Sequence, residues 1–550
     1  MKKIIQIFQF TALSLALISC SDEFLEEKPA NIATAPTLMV DASGFEAALS
    51  GIYAEVRREK SGQLIGNTDK PLFTSMMVGT DVIYINHFAG DFQDFNTYGN
   101  LINPANDHIT ALWEWLYGVV SASNAIISRA ENSDINWQSD DPAAVRDRIV
   151  GEARFFRAWA YRHLTYLWGD VPLHLEESTT ENIRRDWERS AVDDVYLVME
   201  EDLLFAAEHL PQASDMSGKL VKGVAQHYLA ELYLIKGQYK EARDVAQEVI
   251  SDGPFSLVMS RFGQEEGQDG TPFTDLFIGD NPNSADNTEA MWVLQAGYGL
   301  IGGEGDLSLR RHFTNRYHDV KVNGSNVLGI TEERGGRGLG RYAATSFMLN
   351  ELYEDADDRG SEYAWKYFYI YQNNHALNPD KIPDDKTPGD TLFLPDHSGS
   401  ETTLNSYWPG TRKWESAAPD LVTNARQYND ITYLRLAETY LLLAEAHFRL
   451  GDLNEAAQVL TELRARANAS SVSSSDVTID FILDERAREL FAEEHRRYAL
   501  IRNGKFLERI QAHNEIAGSN VTQRDLLLPI PQKFIDSNNQ NQNFRQNPDY

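Results

Sequence analysis

Hydrophobic side chains recur most regularly between residues 433 and 467, where their spacing predicts two amphipathic helices joined by a tight turn. Apolar residues stand three or four positions apart on both sides of Gly451, which interrupts the pattern. The small residues Ala444 and Ala456 fall in the seam between the two helices, so the backbones can approach closely. Because a single hairpin leaves its outer face exposed, this one needs a neighbour.

A second stretch, residues 226–249, follows the same pattern. Both stretches place apolar and small residues at the spacing of a tetratricopeptide helix pair. These residues are Leu229, Ala230, Tyr233, Gly237, Tyr239 and Ala242 in the first copy, and Leu443, Ala444, Gly451 and Ala456 in the second. The two stretches are therefore predicted to be related repeats. Because residues 250–432 separate them, a large segment without the repeat must lie between the copies.

Helical periodicity covers much of the remaining chain. Further helices are predicted from residue 41 and over 110–130, 145–168, 192–210 and 478–497. Pro211 stops the 192–210 helix, and Asp480 is a candidate N-cap for the last one.

Between about residues 253 and 430 the pattern changes to short β-like runs, glycine-rich turns and Pro-Asp loops, with 289–295 as the clearest strand. The sequence thus predicts a mainly α-helical protein. Its scaffold of tetratricopeptide-like helix pairs covers about 41–250 and 430–510, and a large irregular, loop-rich lobe with short strands covers about 253–430. Residues 41–550 are interpreted as a single domain.

Charge and cysteine content narrow the classes of function. Among 550 residues, 82 are acidic and 50 are basic, which gives a formal net charge of −32. Nucleic acid and anionic membrane surfaces are therefore poor partners, and a neutral ligand fits better. Cys20 is the only cysteine, so no intramolecular disulfide, cysteine zinc cluster or thiol catalysis deep in the fold can form.

The N-terminus predicts export and a lipid anchor. Lys2 and Lys3 precede an apolar run over 4–18 that is too short and too interrupted for a membrane span, which is typical of a signal peptide over residues 1–19. The run ends in LISC, which resembles the lipobox of bacterial lipoproteins, where the peptidase cuts before the cysteine and the thiol carries diacylglycerol. We expect Cys20 to be lipidated and residues 20–40 to form an acidic tether. The alternative is an ordinary secreted chain.

Several apparent motifs do not indicate catalysis, nucleotide binding or metal binding. The glycine runs at 299–305 and 335–340 fit neither GxGxxG nor the Walker spacing. Residues 355–360 suggest a calcium loop, but Arg359 occupies a ligand position and no glutamate closes the loop. The acidic and basic residues of 478–497 are most simply interpreted as i,i+4 ion pairs along one helix. The arginine cluster of Arg334, Arg337 and Arg341 either grips an anion or balances nearby acids.

Large aromatic rings concentrate in the irregular part of the chain. Trp365, Trp408 and Trp414 stand there beside polar residues such as Arg412. A pyranose presents an apolar C–H face that stacks on an aromatic ring, and hydroxyls that bond to Asn, Asp and Arg. The composition fits sugar recognition, and it fits a tryptophan-rich core equally well.

Several segments in this order resemble the SusD/RagB-type outer-membrane lipoproteins of Bacteroidetes. They are SCSDEFLEEKP, LWEWLYGVVSASNAII, EARFFRAWAYRHLTYLWGDVPL, YLRLAETYLLLAEA, ILDERARELFAEEHRRYALIRNGKF, LLLPIPQKFIDSN and QNPDY. The resemblance runs over nearly the whole chain. It implies a SusD-like fold with four tetratricopeptide-like helix pairs and an irregular lobe, and no catalysis or cofactor. It also implies a lipid-anchored protein on the cell surface that captures oligosaccharides, or in some members peptides, for a TonB-dependent SusC-like transporter.

By analogy with that family, the ligand is expected on the irregular side. The expected stacking residues are Tyr84, Tyr298, Trp365 and Trp408, and the expected polar contacts are Asp81, Asn86 and Arg341. Two other classes remain open from the residues alone. A secreted glycan-active enzyme would need a pair of catalytic carboxylates, and a repeat lipoprotein could act only as a scaffold for other proteins.

Overall fold

The computed structural model describes residues 35–61, 71–86, 93–297, 307–372, 378–394, 404–416, 422–424 and 427–550. The signal peptide predicted over 1–19, Cys20 and Tyr298 lie outside the described residues. The longer helices are α1 (Ala42–Arg57), α2 (Asp107–Arg129), α3 (Pro142–Trp168), α4 (Val192–His209), α5 (Lys222–Ile235), α6 (Tyr239–Asp252), α7 (Leu436–Leu450), α8 (Leu453–Ala465), α9 (Ile479–Leu490), α10 (Arg496–Arg502) and α11 (Phe506–His513).

Short helices lie at Ala35–Leu38, Thr74–Met77, Asp94–Thr97, Pro272–Asp275, Leu309–Phe313, Ser346–Asn350, Leu404–Tyr407 and Gln532–Ser537. None of the helices in the described part of the chain is long and apolar enough to cross a membrane. The mainly α-helical fold predicted from the sequence is confirmed.

Local side-chain chemistry sets the ends of several helices. Asn106 caps α2 by accepting a hydrogen bond from the backbone N–H of Ile109, and α7 ends at Gly451, whose φ of 84° is left-handed. The prediction that Asp480 caps α9 is wrong. Thr478 takes that place, because its hydroxyl accepts from the N–H of Phe481.

The helices form a stack in which sequence neighbours are also neighbours in space. Each of α2 to α5 packs on the next helix, and α7 packs on both α8 and α9. The stack continues from α6 to α7, although the whole irregular lobe separates them in the sequence. His227 of α5 also meets Thr439 of α7, with Nδ1 and Oγ1 2.9 Å apart. The neighbour that the hairpin of residues 433–467 needs is therefore the other repeat copy.

The strands are short and antiparallel, and in the described residues they form two-stranded sheets. The pairs are β1 (Ile83–Ile85) with β5 (Tyr342–Ala344), β2 (Ala290–Leu294) with β10 (Ile431–Arg435), β3 (Lys321–Val322) with β4 (Ser325–Asn326), β6 (Trp365–Lys366) with β9 (Gly410–Thr411), and β7 (Phe368–Ile370) with β8 (Thr391–Phe393). β2 confirms the strand predicted at 289–295. β10 passes into α7 with no residue between them, so a strand of the lobe and a helix of the scaffold are continuous.

A buried ion-pair network joins the lobe to the scaffold. Glu489 of α9 lies 3.1 Å from Arg359 and 2.9 Å from Arg435, and it also pairs with Arg466, which follows α8. Arg435 in turn lies 3.0 Å from Glu289, beside β2. The prediction of simple i,i+4 pairs along this helix is therefore wrong for Glu489, whose partners come from three distant segments.

Candidate functional site

The β1–β5 pair gathers four of the predicted contact residues. Tyr84 lies at the centre of β1, and the backbone N–H of Asn86 donates to the carbonyl oxygen of Arg341 at 2.8 Å. The indole N–H of Trp408 donates to the carbonyl oxygen of Ala344 at 2.8 Å, and its ring centroid lies 6.1 Å from that of Tyr84. Residues that are far apart in the sequence thus meet at one small sheet, here called the strand cluster (Tyr84, Asn86, Arg341 and Trp408).

Asn86 has a buried acceptor without a partner in the described part of the chain. Its side chain is buried, and its Oδ1 accepts no hydrogen bond from any described residue. A buried amide oxygen that stays unpaired costs about 1–3 kcal/mol. A hydroxyl of a ligand would offset that cost. Asn86 is therefore the residue of the strand cluster whose chemistry most favours a ligand contact.

Asp81 is fully buried and has a structural role in this conformation. Its two carboxylate oxygens accept hydrogen bonds from Arg496 at 2.8 and 2.6 Å and from Arg509 at 2.7 Å. Burial alone would raise the pKa of the Asp81 carboxyl, but the two guanidinium groups hold this pKa well below its usual range. Asp81 thus fastens α10 and α11 to the segment before β1, and a ligand would have to displace an arginine to reach it.

The predicted stacking rings in the described residues are packed in the core. Only 4% of Tyr84, 2% of Trp365 and 5% of Trp408 is exposed. The ring of Trp365 lies 4.9 Å from that of Phe491, and its indole N–H donates to the carbonyl oxygen of Arg359 at 3.0 Å. A sugar could stack on these rings only after their neighbours moved. Their stacking role stays a prediction, and so does that of Tyr298, which lies outside the described residues.

The structure places two arginines of the predicted cluster in different surroundings. Arg334 is buried, and its guanidinium binds both oxygens of Asp380 at 2.7 and 2.6 Å. Arg341 is half-buried beside Asn86. Of the two interpretations of the cluster, Arg334 fits the one in which it balances a nearby acid.

An open cleft in the irregular lobe was not predicted. Two adjoining cavities of about 270 and 180 Å³ share Glu333, Tyr363 and Arg412 in their walls. Their other walls come from residues 264–279, the turn at 332–335, strands β6 and β7, and residues 413–416. We call this the lobe cleft. The sequence pattern of rings and polar groups in irregular surroundings indicated Tyr363 and Arg412 as possible sugar contacts. No sequence pattern indicated the acidic residues of the cleft.

Charged groups of both signs line the lobe cleft. Arg412 donates through Nε to Glu415 at 2.9 Å, and the Lys366 ammonium lies 3.1 Å from the same carboxylate. Burial lowers the pKa of Lys413 to about 8, even though the nearby Glu493 opposes the shift. Glu333 adds a further acceptor in the wall. The cleft therefore offers hydrogen-bond donors and acceptors side by side.

An aromatic pair with one exposed ring adjoins the lobe cleft. Phe368, which lines the smaller cavity, lies with its ring centroid 5.8 Å from that of Phe393 on the paired strand β8. Phe393 is 71% exposed, and Ile370 beside it is 37% exposed. Such a surface is unusual for large apolar side chains and marks a place where an apolar partner can be bound.

One set of potential metal ligands occurs among the described residues. Single ligand atoms of Glu59, His163 and His495 lie within 4.8 Å of one another. The Lys60 ammonium stands 2.9 Å from Glu59, and Nη1 of Arg162 stands 3.1 Å from Nδ1 of His495. Nε2 of His495 also lies 2.8 Å from the Glu59 carboxylate. With two cations against it, the set fits a hydrogen-bonded network better than a metal site.

Comparison with known proteins gives two family matches. The SusD family model matches residues 278–550, and a model described as starch-binding, associating with the outer membrane, matches residues 23–234. The chain belongs to the SusD family. The resemblance found in the sequence motifs is thus confirmed over both the N-terminal helices and the lobe with its C-terminal scaffold.

Relatives of this SusD-family protein cover nearly its whole length. SusD-like protein P25 of Formosa agariphila is 25% identical, over 98% of this chain and 97% of its own. The crystal structure of a SusD homolog from Bacteroides thetaiotaomicron has a TM-score of 0.71 at 20% identity, over 94% of this chain and 98% of its own. Surface glycan-binding protein A from the same species, solved with laminarihexaose, has a TM-score of 0.66 at 18% identity, over 92% and 99%. The structures show the shared fold.

Proposed function

We propose that this SusD-family protein binds a neutral oligosaccharide at the outer surface of the cell and delivers it, uncleaved, to a TonB-dependent SusC-like transporter. Family membership and the laminarihexaose bound by one structural neighbour support the choice of ligand class. The observation that carries the proposal in this chain is the lobe cleft, which combines rings, donors and acceptors on the irregular side of the fold.

The chemistry of the lobe cleft suits a sugar chain. Tyr363 and Phe368 offer apolar ring surface for the C–H face of a pyranose, and Arg412 and Glu415 offer a donor and an acceptor for its hydroxyls. The exposed Phe393 extends this surface beyond the cavities. With a net charge of −32, the protein repels polyanions at long range, which favours a neutral polymer.

Replacing Arg412 by alanine is expected to lower the affinity for the oligosaccharide at least tenfold. A hydrogen bond from a charged group contributes about 1.5–3 kcal/mol, and tenfold corresponds to about 1.4 kcal/mol. Isothermal titration calorimetry with laminarihexaose, cellohexaose and maltohexaose measures the affinity. Tyr363→Ala is also expected to lower it. Arg146→Ala, on the exposed face of α3, is the matched control and should bind normally.

Two outcomes of this titration contradict the proposal. One is the absence of binding by all three hexasaccharides at millimolar concentration, and the other is release of shorter sugars during the incubation, which would reveal an enzyme. Asn86→Ala, measured in the same way, decides whether the ligand contacts the strand cluster as well. A loss with Asn86→Ala and none with Arg412→Ala would place the ligand at the strand cluster and not in the lobe cleft.

Surface anchoring is proposed to depend on Cys20. We expect Cys20→Ser to abolish labelling of the protein by radioactive palmitate, because a serine hydroxyl accepts no thioether-linked diacylglycerol. Ser19→Ala, which leaves a small residue before the cysteine, is the matched control and should still be labelled. Labelling of Cys20→Ser equal to that of the control would show that Cys20 does not carry the lipid.

A further inference from the structure

A second cavity, on the helical scaffold, shares no residue with the lobe cleft. It has a volume of about 440 Å³ and lies between α2, residues 172–187 and the short helix Gln532–Ser537. Aromatic rings dominate its walls: Trp113 and Tyr117 of α2, Trp187, and Phe534. We call it the scaffold pocket. Its size and apolar, ring-lined walls are typical of sites that bind small organic ligands.

The walls of the scaffold pocket are held in place without a ligand. The ring centroid of Trp113 lies 4.9 Å from that of Tyr117 and 5.0 Å from that of Phe534. The Tyr117 hydroxyl donates to the carbonyl oxygen of Pro172 at 2.7 Å, and the backbone N–H of Trp187 donates to the side chain of Asn538 at 2.7 Å. A ligand therefore meets a preformed cavity and orders little when it binds.

Polar side chains stand between and around the rings of the scaffold pocket. Glu114 and Lys533 form an ion pair of 2.5 Å, and Nε2 of His174 lies 2.9 Å from the hydroxyl of Ser178. Ser121 of α2 adds a hydroxyl in the wall. Ring surfaces with hydroxyl and charged groups around them match a ligand with an apolar face and polar edges, which is the character of a pyranose.

Gly118 gives independent support for a site at this place. It lies inside the 23-residue helix α2, where glycine is less favourable than alanine. A Cβ atom built on Gly118 would have no heavy atom within 4 Å, so the packing of the described residues does not require a glycine there. The missing side chain leaves room in the scaffold pocket, which Gly118 lines.

We propose that the scaffold pocket is a second carbohydrate site, which takes a single pyranose unit. The choice of ligand class rests on the proposed function, but the site itself does not depend on the lobe cleft. A protein with both sites can hold one polysaccharide at two points, or two separate polysaccharides at once. Because linked binding events become intramolecular, a polymer long enough to span both sites binds more tightly than a short oligosaccharide.

Gly118→Leu is expected to fill the pocket and abolish binding there. The protein labelled with 5-fluorotryptophan is titrated with the methyl glycopyranosides of glucose, galactose and mannose, and the ¹⁹F signal of Trp187 is assigned with Trp187→Phe. At least one glycoside should move this signal saturably in the native chain and leave it unmoved in Gly118→Leu. Gly51→Leu on α1, where a Cβ also meets no atom within 4 Å, is the matched control and should respond as the native chain does.

The results separate the two sites. Tyr363→Ala should leave the Trp187 response intact, because the lobe cleft and the scaffold pocket have no residue in common. A missing response to all three glycosides overturns the scaffold pocket as a sugar site, and so does a response that persists in Gly118→Leu. If the hexasaccharides fail to bind the lobe cleft while Trp187 still responds, the proposed function fails and the pocket stands.

Discussion

Replacing Glu489 with alanine is expected to lower the free energy of unfolding by about 3–5 kcal/mol, because the change removes a carboxylate that three buried arginines share and leaves them with fewer acceptors. Arg359, Arg435 and Arg466 all pair with Glu489, and all four side chains are almost completely buried. Burial alone would raise the pKa of Glu489, but these arginines hold its pKa well below the usual range. Denaturation by urea, followed by tryptophan fluorescence, measures the loss.

Glu201→Ala is the matched control for this experiment. Glu201 lies on the exposed side of α4, so its replacement should change the free energy of unfolding by less than about 0.5 kcal/mol. Glu489→Gln keeps the size of the side chain, so its free energy of unfolding should lie between those of Glu489→Ala and Glu201→Ala. A Glu489→Ala variant as stable as the control would mean that the other carboxylates around the three arginines are sufficient and that Glu489 adds nothing to the stability.

Asp81→Ala is expected to cost a similar amount, about 3–5 kcal/mol, since it leaves Arg496 and Arg509 buried with fewer acceptors. The measurement is again the free energy of unfolding. The contact of Asp81 with the ligand stays a prediction, whereas the structure pairs Asp81 with two arginines. The hexasaccharide affinity of the variant, measured well below its unfolding transition, should therefore stay within threefold of that of the native chain.

Asp355→Ala is the control for Asp81→Ala, because Asp355 is an exposed acid in a loop and should be nearly neutral. If Asp81→Ala keeps its stability but loses ligand binding by tenfold or more, Asp81 is a contact residue as the family analogy implied. If the free energy of unfolding and the affinity for the hexasaccharide fall together, the position of β1 depends on this carboxylate. The strand cluster and the ligand site are then coupled.

The scaffold could be predicted because its signals are local. Apolar spacing of three or four residues and Gly451 were sufficient to define the hairpin of α7 and α8, and the repeat pattern identified residues 226–249 as its relative. The exposed face of the hairpin predicted that it needs a neighbour, and the structure shows that the other copy is this neighbour. The cap of α9 was harder, because Thr478 and Asp480 stand two residues apart and both residue types are good N-caps.

The site was harder to predict because it depends on contacts between distant segments. Whether a tryptophan in irregular sequence is buried in the core or exposed for stacking on a sugar depends on the residues that cover it. Phe491, from the C-terminal part of the chain, covers Trp365. The walls of the lobe cleft likewise come from separate parts of the lobe. Glu489 carried no sign of its three arginine partners, because ion pairs across long sequence distances leave no local pattern.

The direct passage from β10 into α7 limits how the protein can move. Hinges are formed by loop residues or by residues at the ends of elements, whose backbone angles change, and no loop residue stands between Arg435 and Leu436. Arg435, at this junction, is also clamped by Glu289 and Glu489. The lobe and the scaffold should consequently move as one rigid body at this point, and any hinge between them must lie outside this junction.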